Sequence, residues 1–191
     1  NPKYYFYVSY RRGKLIKSLH IKDNTEIYSD LNRKEIKSHI WYHSAILPSE
    51  DKIAIAYTKA DIMVGLDFRG NIIFKIQGPD QFKEPPPKDA IKIAQNREKS
   101  AYREIKADSN YIYGLYHGDL HIAKVNNKLA YQYSKYIQIF NWKGQPVAEL
   151  KLQHPTSSFA IDKENERIIT YATDIGKFVY YNFDGKTFNI F

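Results

Sequence analysis

Residues 136–171, YIQIFNWKGQPVAELKLQHPTSSFAIDKENERIITY, decide the fold. The stretch reads as a strand, an Asx-aromatic-x-Gly turn, a second strand, a link, a third strand, a short polar turn and a fourth strand. The turn Asn141-Trp142-Lys143-Gly144 has physical content. An Asx side chain bonds backbone two residues on and starts a turn. Glycine supplies the positive φ that short hairpins require without a Cβ clash.

The same turn occurs in Ile62–Ile76 as Asp67-Phe68-Arg69-Gly70 and in Lys177–Phe191 as Asn182-Phe183-Asp184-Gly185. A degenerate copy spans Tyr4–Ile21, with Arg12-Gly13 as its turn. A second, polar turn precedes each full copy, at residues 46–53, 105–112 and 160–168. Gly144 and Gly185 are 41 residues apart, Gly70 and Gly144 are 74 apart, and Gly13 and Gly70 are 57 apart. The first spacing is one four-stranded unit, and the other two are a unit plus an insertion. Four strands per repeat of about 40–50 residues is the signature of a β-propeller blade. A plain antiparallel meander or sandwich is the competing reading. Two turn types recurring in the same order weigh against it.

The expected fold is therefore all-β: a β-propeller of four-stranded antiparallel blades, about three and a half of them in a six-bladed ring. The expected divisions are a half blade at 4–21, a blade at 44–76, a blade at 102–152 with an insertion at 118–132, and a blade at 156–191. Asp30–Ser38 reads as a loop with one or two helical turns crossing between blades, with a short helix capped by Asp30 or Asn32 as the alternative; Pro85-Pro86-Pro87 marks an extended connector, and Asp89–Ser100 has weak helical character. Three and a half blades would leave open sheet faces. The chain thus reads as a C-terminal fragment of a longer protein, or as one whose ring another chain completes.

Composition sets outer bounds. The chain has 191 residues, with 17 Tyr, 10 Phe and no Cys, so disulfide and thiol chemistry are absent. No apolar run is long enough for a transmembrane helix. The formal charge of +8 suits nucleic acid, anionic polysaccharide or an acidic membrane surface. The Lys residues are spread along the chain, however, as on an ordinary solvated surface. The Tyr-rich strands could stack bases, but Tyr also packs between blades, so nucleic acid ranks low as a partner.

The stretch Tyr133–Val147, followed by Phe159-Ala160-Ile161-Asp162, resembles the TolB-like six-bladed β-propeller family, and more narrowly its exported bacterial lipoprotein members. The close match covers about 30 residues, with weaker blade-level similarity over most of the chain. The resemblance implies the propeller fold and an extracytoplasmic place, in the periplasm or as a lipoprotein at the outer membrane or cell surface. It implies no reaction, and any membrane association would come through an anchor that this chain lacks.

The chemistry-bearing residues form no strong motif. His39 and His43, and His117 and His121, are spaced four apart, but neither pair encloses the Glu of a zinc-protease helix. No Gly-x-Ser-x-Gly elbow supports nucleophilic hydrolysis. The sequence calls for no metal, cofactor or catalytic residue. The insertion residues Tyr116, His117, Asp119, His121 and Lys124 are the first choice for ligand binding, because they mix aromatic and basic groups. The turn residues Asp67, Phe68, Gly70, Asn141, Trp142, Gly144, Asn182, Phe183 and Gly185 are assigned structural roles. The expected function is a non-enzymatic binding or scaffolding module whose rim takes a protein, peptide or glycan. The alternative is a lyase or hydrolase working in the central channel.

Overall fold

The computed structural model describes residues 3–10, 14–22, 42–47, 50–58, 61–78, 80, 99–120, 122–125, 127–182 and 188–190. Every element among them is a strand, in antiparallel sheets. The suggested helix at Asp30–Ser38, the triple-proline connector and most of Asp89–Ser100 lie outside the described residues. Lys99 and Ser100 belong to a strand and not to a helix. Among the described residues no helix is long and apolar enough to cross a membrane.

Strands β1 (Lys3–Tyr10) and β2 (Lys14–Lys22) form one hairpin. Strands β3 (Tyr42–Leu47), β4 (Lys52–Tyr57), β5 (Ile62–Asp67) and β6 (Ile72–Gln77) form a four-stranded meander, the first blade. Strands β7 (Lys99–Ala107), β8 (Tyr111–Leu120), β11 (Ser134–Asn141) and the first part of β12 (Pro146–Asp162) make the second. Between β8 and β11 stand β9 (Ile122–Val125) and β10 (Lys128–Tyr131), a separate two-stranded sheet. The end of β12 pairs with β13 (Arg167–Ala172), which pairs with β14 (Lys177–Asn182). The chain thus forms part of a β-propeller.

Two details differ from the sequence reading. The link at Gln153-His154-Pro155 does not interrupt the strand: β12 runs 17 residues from one blade into the next. Pro155 lacks an N–H, but its carbonyl accepts from the Thr173 backbone at 2.9 Å and the Thr173 hydroxyl at 3.0 Å. Thr156 is opposite Ser134 on one side and Ala172 on the other, so the strand changes blades there. Second, β15 (Phe188–Ile190) pairs with Ala148–Leu150 of β12, where the repeat places it beside β14. Its position supplies partners to what would otherwise be the outer edge of the second blade.

The turns show why these residues reverse the chain. Asp67 Oδ1 accepts from the N–H groups of Arg69 and Asn71, both at 2.8 Å, and Gly70 has φ of 88°. Asn141 Oδ1 accepts from Lys143 N at 2.9 Å and Gln145 N at 3.1 Å, and Gly144 has φ of 76°. Residues 183–187, with Phe183 and Gly185, lie outside the described part, and Asn182 ends β14.

Blade packing follows side-chain size. The first blade presents Ala45, Ala54, Ala56, Met63 and Phe74, and the second inserts Tyr102, Tyr116, Phe140 and Trp142 against them. Small residues on one face make room for rings from the other, so the contact fills at interior density. The next contact is mostly aliphatic: Leu115, Ile137 and Ile139 meet Leu152, Phe159 and Ile168. The buried Tyr102 hydroxyl donates to Gln138 Oε1 at 3.0 Å, and Gln138 Nε2 donates to Glu149 at 3.2 Å. That chain satisfies polar groups which would be costly if left unpaired.

Asp108 ties two blades together. Its carboxylate accepts from Asn110 N at 2.7 Å, Tyr111 N at 2.8 Å and the Tyr113 hydroxyl at 3.0 Å, with Lys163 Nζ at 3.3 Å. Burial alone would raise its pKa. The Tyr111 and Asn110 amides, the Tyr113 hydroxyl and Lys163 outweigh burial and hold it below the ordinary aspartate value. A depressed folded-state pKa contributes stability above the unfolded value of about 3.9, which is lost as pH falls through the folded value. Asp108→Asn should therefore cost about 2 kcal/mol at neutral pH and less below about pH 3. Urea unfolding at both pH values checks this. Equal losses at both would show that the charge of Asp108 contributes nothing.

Candidate functional site

The site lies where the inserted hairpin meets the first strand of the second blade. Strand β7 runs beside β3 and beside the second half of β12. These are the first strands of three successive blades, which in a propeller face the central channel. The register of β7 against β8 shifts between Tyr102 and Glu104, leaving Arg103 as an extra residue in the ladder. Bulges of this kind re-aim side chains.

Arg103 is half-buried, and its Nη2 donates to the Gln132 carbonyl at 3.3 Å. Gln132 lies between Tyr131 and Tyr133, which are 61% and 41% exposed. The guanidinium is thus anchored at the foot of the hairpin, by the carbonyl of the residue that separates two tyrosines in sequence. On the same footing, His117 is buried and its Nε2 lies 3.0 Å from the Leu120 carbonyl. The Tyr133 backbone lies near the ring, but Nδ1 makes no hydrogen bond of good geometry.

Electrostatics complete the picture. Burial lowers the pKa of His117, with Arg103 adding to that effect against the opposing Leu120 carbonyl and Asp119. Burial also lowers the pKa of His43 on β3, where Glu104 opposes and Arg103 assists. Both imidazoles are therefore neutral at neutral pH, and Arg103 is a cation whose charge acts on both. Burial also lowers the pKa of Arg103, with Tyr133 opposing; a guanidinium remains charged regardless.

Glu104 is engaged elsewhere. Its Oε2 accepts from Ser158 Oγ at 2.8 Å and Phe159 N at 2.9 Å, and its Oε1 lies 2.7 Å from Lys106 Nζ. It cross-links the first strands of two blades.

The residues singled out from sequence do not all converge. Tyr116 faces the contact between the first two blades, with its hydroxyl on Asp80 at 2.6 Å and its ring edge-on to Tyr102. Its neighbour His117 takes the opposite side, as strand alternation requires. Asp119 is exposed and accepts from the Leu120 N–H at 2.7 Å. His121 and the Lys124 side chain lie outside the described residues, as does His39. Arg103, His43 and Tyr133 join the site without any sequence motif to mark them. Among the described residues no three His, Cys, Asp or Glu side chains converge to hold a metal ion.

The family model for TolB-like 6-blade propeller-like proteins matches residues 2–164. The chain belongs to this family. No curated protein matches it. Among solved structures, this TolB-like chain is similar to a Bacteroides caccae protein of unknown function, at 11% identity and a TM-score of 0.34, covering 92% of this chain and 64% of that one. It is also similar to the WD40 domain of Neurospora crassa Pan2, at 12% identity and a TM-score of 0.33, covering 94% and 60% respectively. The TolB-like chain thus spans less than two thirds of the length of either structure.

Proposed function

We propose that this chain is a non-enzymatic binding or scaffolding module that recognises its ligand through the rim, with the β9–β10 hairpin as the recognition element. The observation that carries this reading is exposure on the hairpin and at its base. Leu120, Val125, Tyr131 and Tyr133 all present apolar surface to solvent there. A lone two-stranded hairpin is marginal in water, and clustered exposed apolar groups mark interaction sites. Among the described residues, no hairpin side chain belongs to the two large inter-blade clusters. A ligand that covers it gives it a role that packing does not. Family resemblance supports a place outside the cytoplasm, in the periplasm or at the cell surface.

The test uses the full chain on paired arrays of oligosaccharides and peptides. Tyr131→Ser combined with Val125→Ser removes two exposed side chains and should leave the unfolding midpoint nearly unchanged. The wild type should retain specific array members, and the double variant should lose them. Unchanged binding by the variant would remove the hairpin from recognition. Chemical conversion of a retained probe, seen by mass spectrometry, would replace the binding reading with the channel lyase or hydrolase.

A further inference from the structure

We propose that the outer face of the third blade, built by the end of β12 with β13 and β14, is a homotypic interface on which the same face of a second copy packs about a two-fold axis. This surface is separate from the rim, and the inference stands without the rim reading.

The repeat fixes which positions form the face. Met63, Ile137 and Phe178 each stand seven residues before the recurring glycine of their repeat, Gly70, Gly144 or Gly185. In each blade the preceding strand sets one residue opposite: Ala56 for Met63, Leu115 for Ile137 and Tyr171 for Phe178. The next rung pairs Ala54 with Gly65, Tyr113 with Ile139 and Ile169 with Tyr180. In the first two blades these positions are buried, and they belong to the contact with the following blade. In the third blade the same positions are open. Phe178 is 77% exposed, Tyr180 62% and Tyr171 40%, and the Tyr171 and Phe178 rings meet edge-on at 5.4 Å. Clustered exposed rings mark an interaction surface, and their counterparts in this chain pack against a sheet.

The face matches a copy of itself. Its side chains are graded in size across the sheet: one rung runs from Ala160 on β12 through Ile169 on β13 to Tyr180 on β14, and Ala160 is exposed. A two-fold axis along β13 lays β14 of one copy over β12 of the other. Each Tyr180 ring then meets Ala160 of the second copy, which is an isologous contact. Small residues receive rings in the same way between the first and second blades, where Ala45, Ala54 and Ala56 meet Tyr102 and Trp142. The charges on the face are balanced within each copy. Arg167 Nε lies 2.7 Å from Asp162 Oδ2, and its guanidinium lies over the Tyr180 ring at 5.2 Å. Two neutral pairs meet across the axis, and not two bare cations. Among the described residues no strand pairs with the outer edge of β14. That strand has one charge, Lys177 at its start, and neither a proline nor a bulge, so little guards it against association.

The test is analytical ultracentrifugation of the full chain. Strands β13 and β14 have six residues each, so the face is about 20 Å long and about 10–15 Å across its three strands. A contact of that size is weak, and the wild type should pass from monomer to dimer between about 1 and 500 μM. Tyr180→Ala and Ala160→Tyr should each weaken the dimer about thirtyfold or more. Both sites are exposed, so the urea midpoint of the monomer should stay nearly unchanged. Mixing the two variants should restore a dimer, because one contact is then native and the other has its two side chains exchanged. A monomer at every concentration overturns the inference. A dimer that neither substitution weakens also overturns it, because the contact then lies elsewhere. Variants that lose the dimer singly and do not regain it on mixing overturn the two-fold arrangement, and the inference with it.

Discussion

Trp142→Ala should cost about 4 kcal/mol of folding stability, read as a fall in the urea midpoint at constant slope. The ring is buried in the cluster shared by the first and second blades, among Phe74, Ile105 and Ile112. Its Nε1 donates to the Asp108 carbonyl at 2.8 Å, and Lys52 of the neighbouring blade lies over its face at 5.2 Å from the centroid. Truncation therefore removes a large buried ring, opens a cavity and leaves a buried carbonyl without its donor. The cation over the ring adds only a small increment. Trp142→Phe separates the contributions. It retains most of the ring and loses the N–H, and should cost about 1–2 kcal/mol. A loss below about 1 kcal/mol for Trp142→Ala, against the range for buried aromatic truncation, would show that this turn does not hold the blades together.

The same tryptophan shows what sequence can reveal. The turn Asn141-Trp142-Lys143-Gly144 is encoded in consecutive residues, and recurrence of its pattern at blade-like spacing is enough to indicate a propeller. Sequence does not show that Trp142 reaches back to Asp108 and across to Lys52, because those contacts depend on how the sheets stack. The pairing of β15 with β12 is missed for a related reason. A turn signal says where the chain reverses, but not which edge receives the returning strand. Continuity of β12 through Pro155 is missed because proline normally ends a ladder; here the Pro155 carbonyl, which proline retains, is what pairs.

The candidate site divides along the same line. His117 stands out in sequence because it lies in an insertion. Arg103 does not, because a basic residue in a strand usually faces solvent, and the register shift beside it follows from pairing with β8. His43 is 60 residues from Arg103. The two meet only because the first strands of adjacent blades lie side by side. Tyr116 and His117 are neighbours in sequence, but strand alternation sends consecutive side chains to opposite faces.

Gly144→Val should destabilise the protein by about 3–4 kcal/mol, combining a backbone and a packing effect. The residue has φ of 76°, where an L side chain crowds its own backbone, at about 1–2 kcal/mol. A Cβ at Gly144 would also stand 2.9 Å from the Phe74 ring and 3.0 Å from Ile76 Cγ2, both on β6 of the preceding blade. Neither neighbour is a flexible surface chain: Phe74 is buried in the inter-blade cluster, with Ile76 packed against it. Overpacking of this kind costs about 1–3 kcal/mol more. Gly176 is the control. Its φ is 65°, and the nearest atom to a Cβ there is the Tyr171 hydroxyl at 3.8 Å, so Gly176→Val should show the backbone effect alone, about 1–2 kcal/mol. If the two variants lose equally, Gly144 serves only to turn the chain. A larger loss at Gly144 means that the glycine also lets one blade seat against the next. The recurring Gly would then be a requirement of the blade contact as well as of the hairpin, and the repeat would encode packing along with chain reversal.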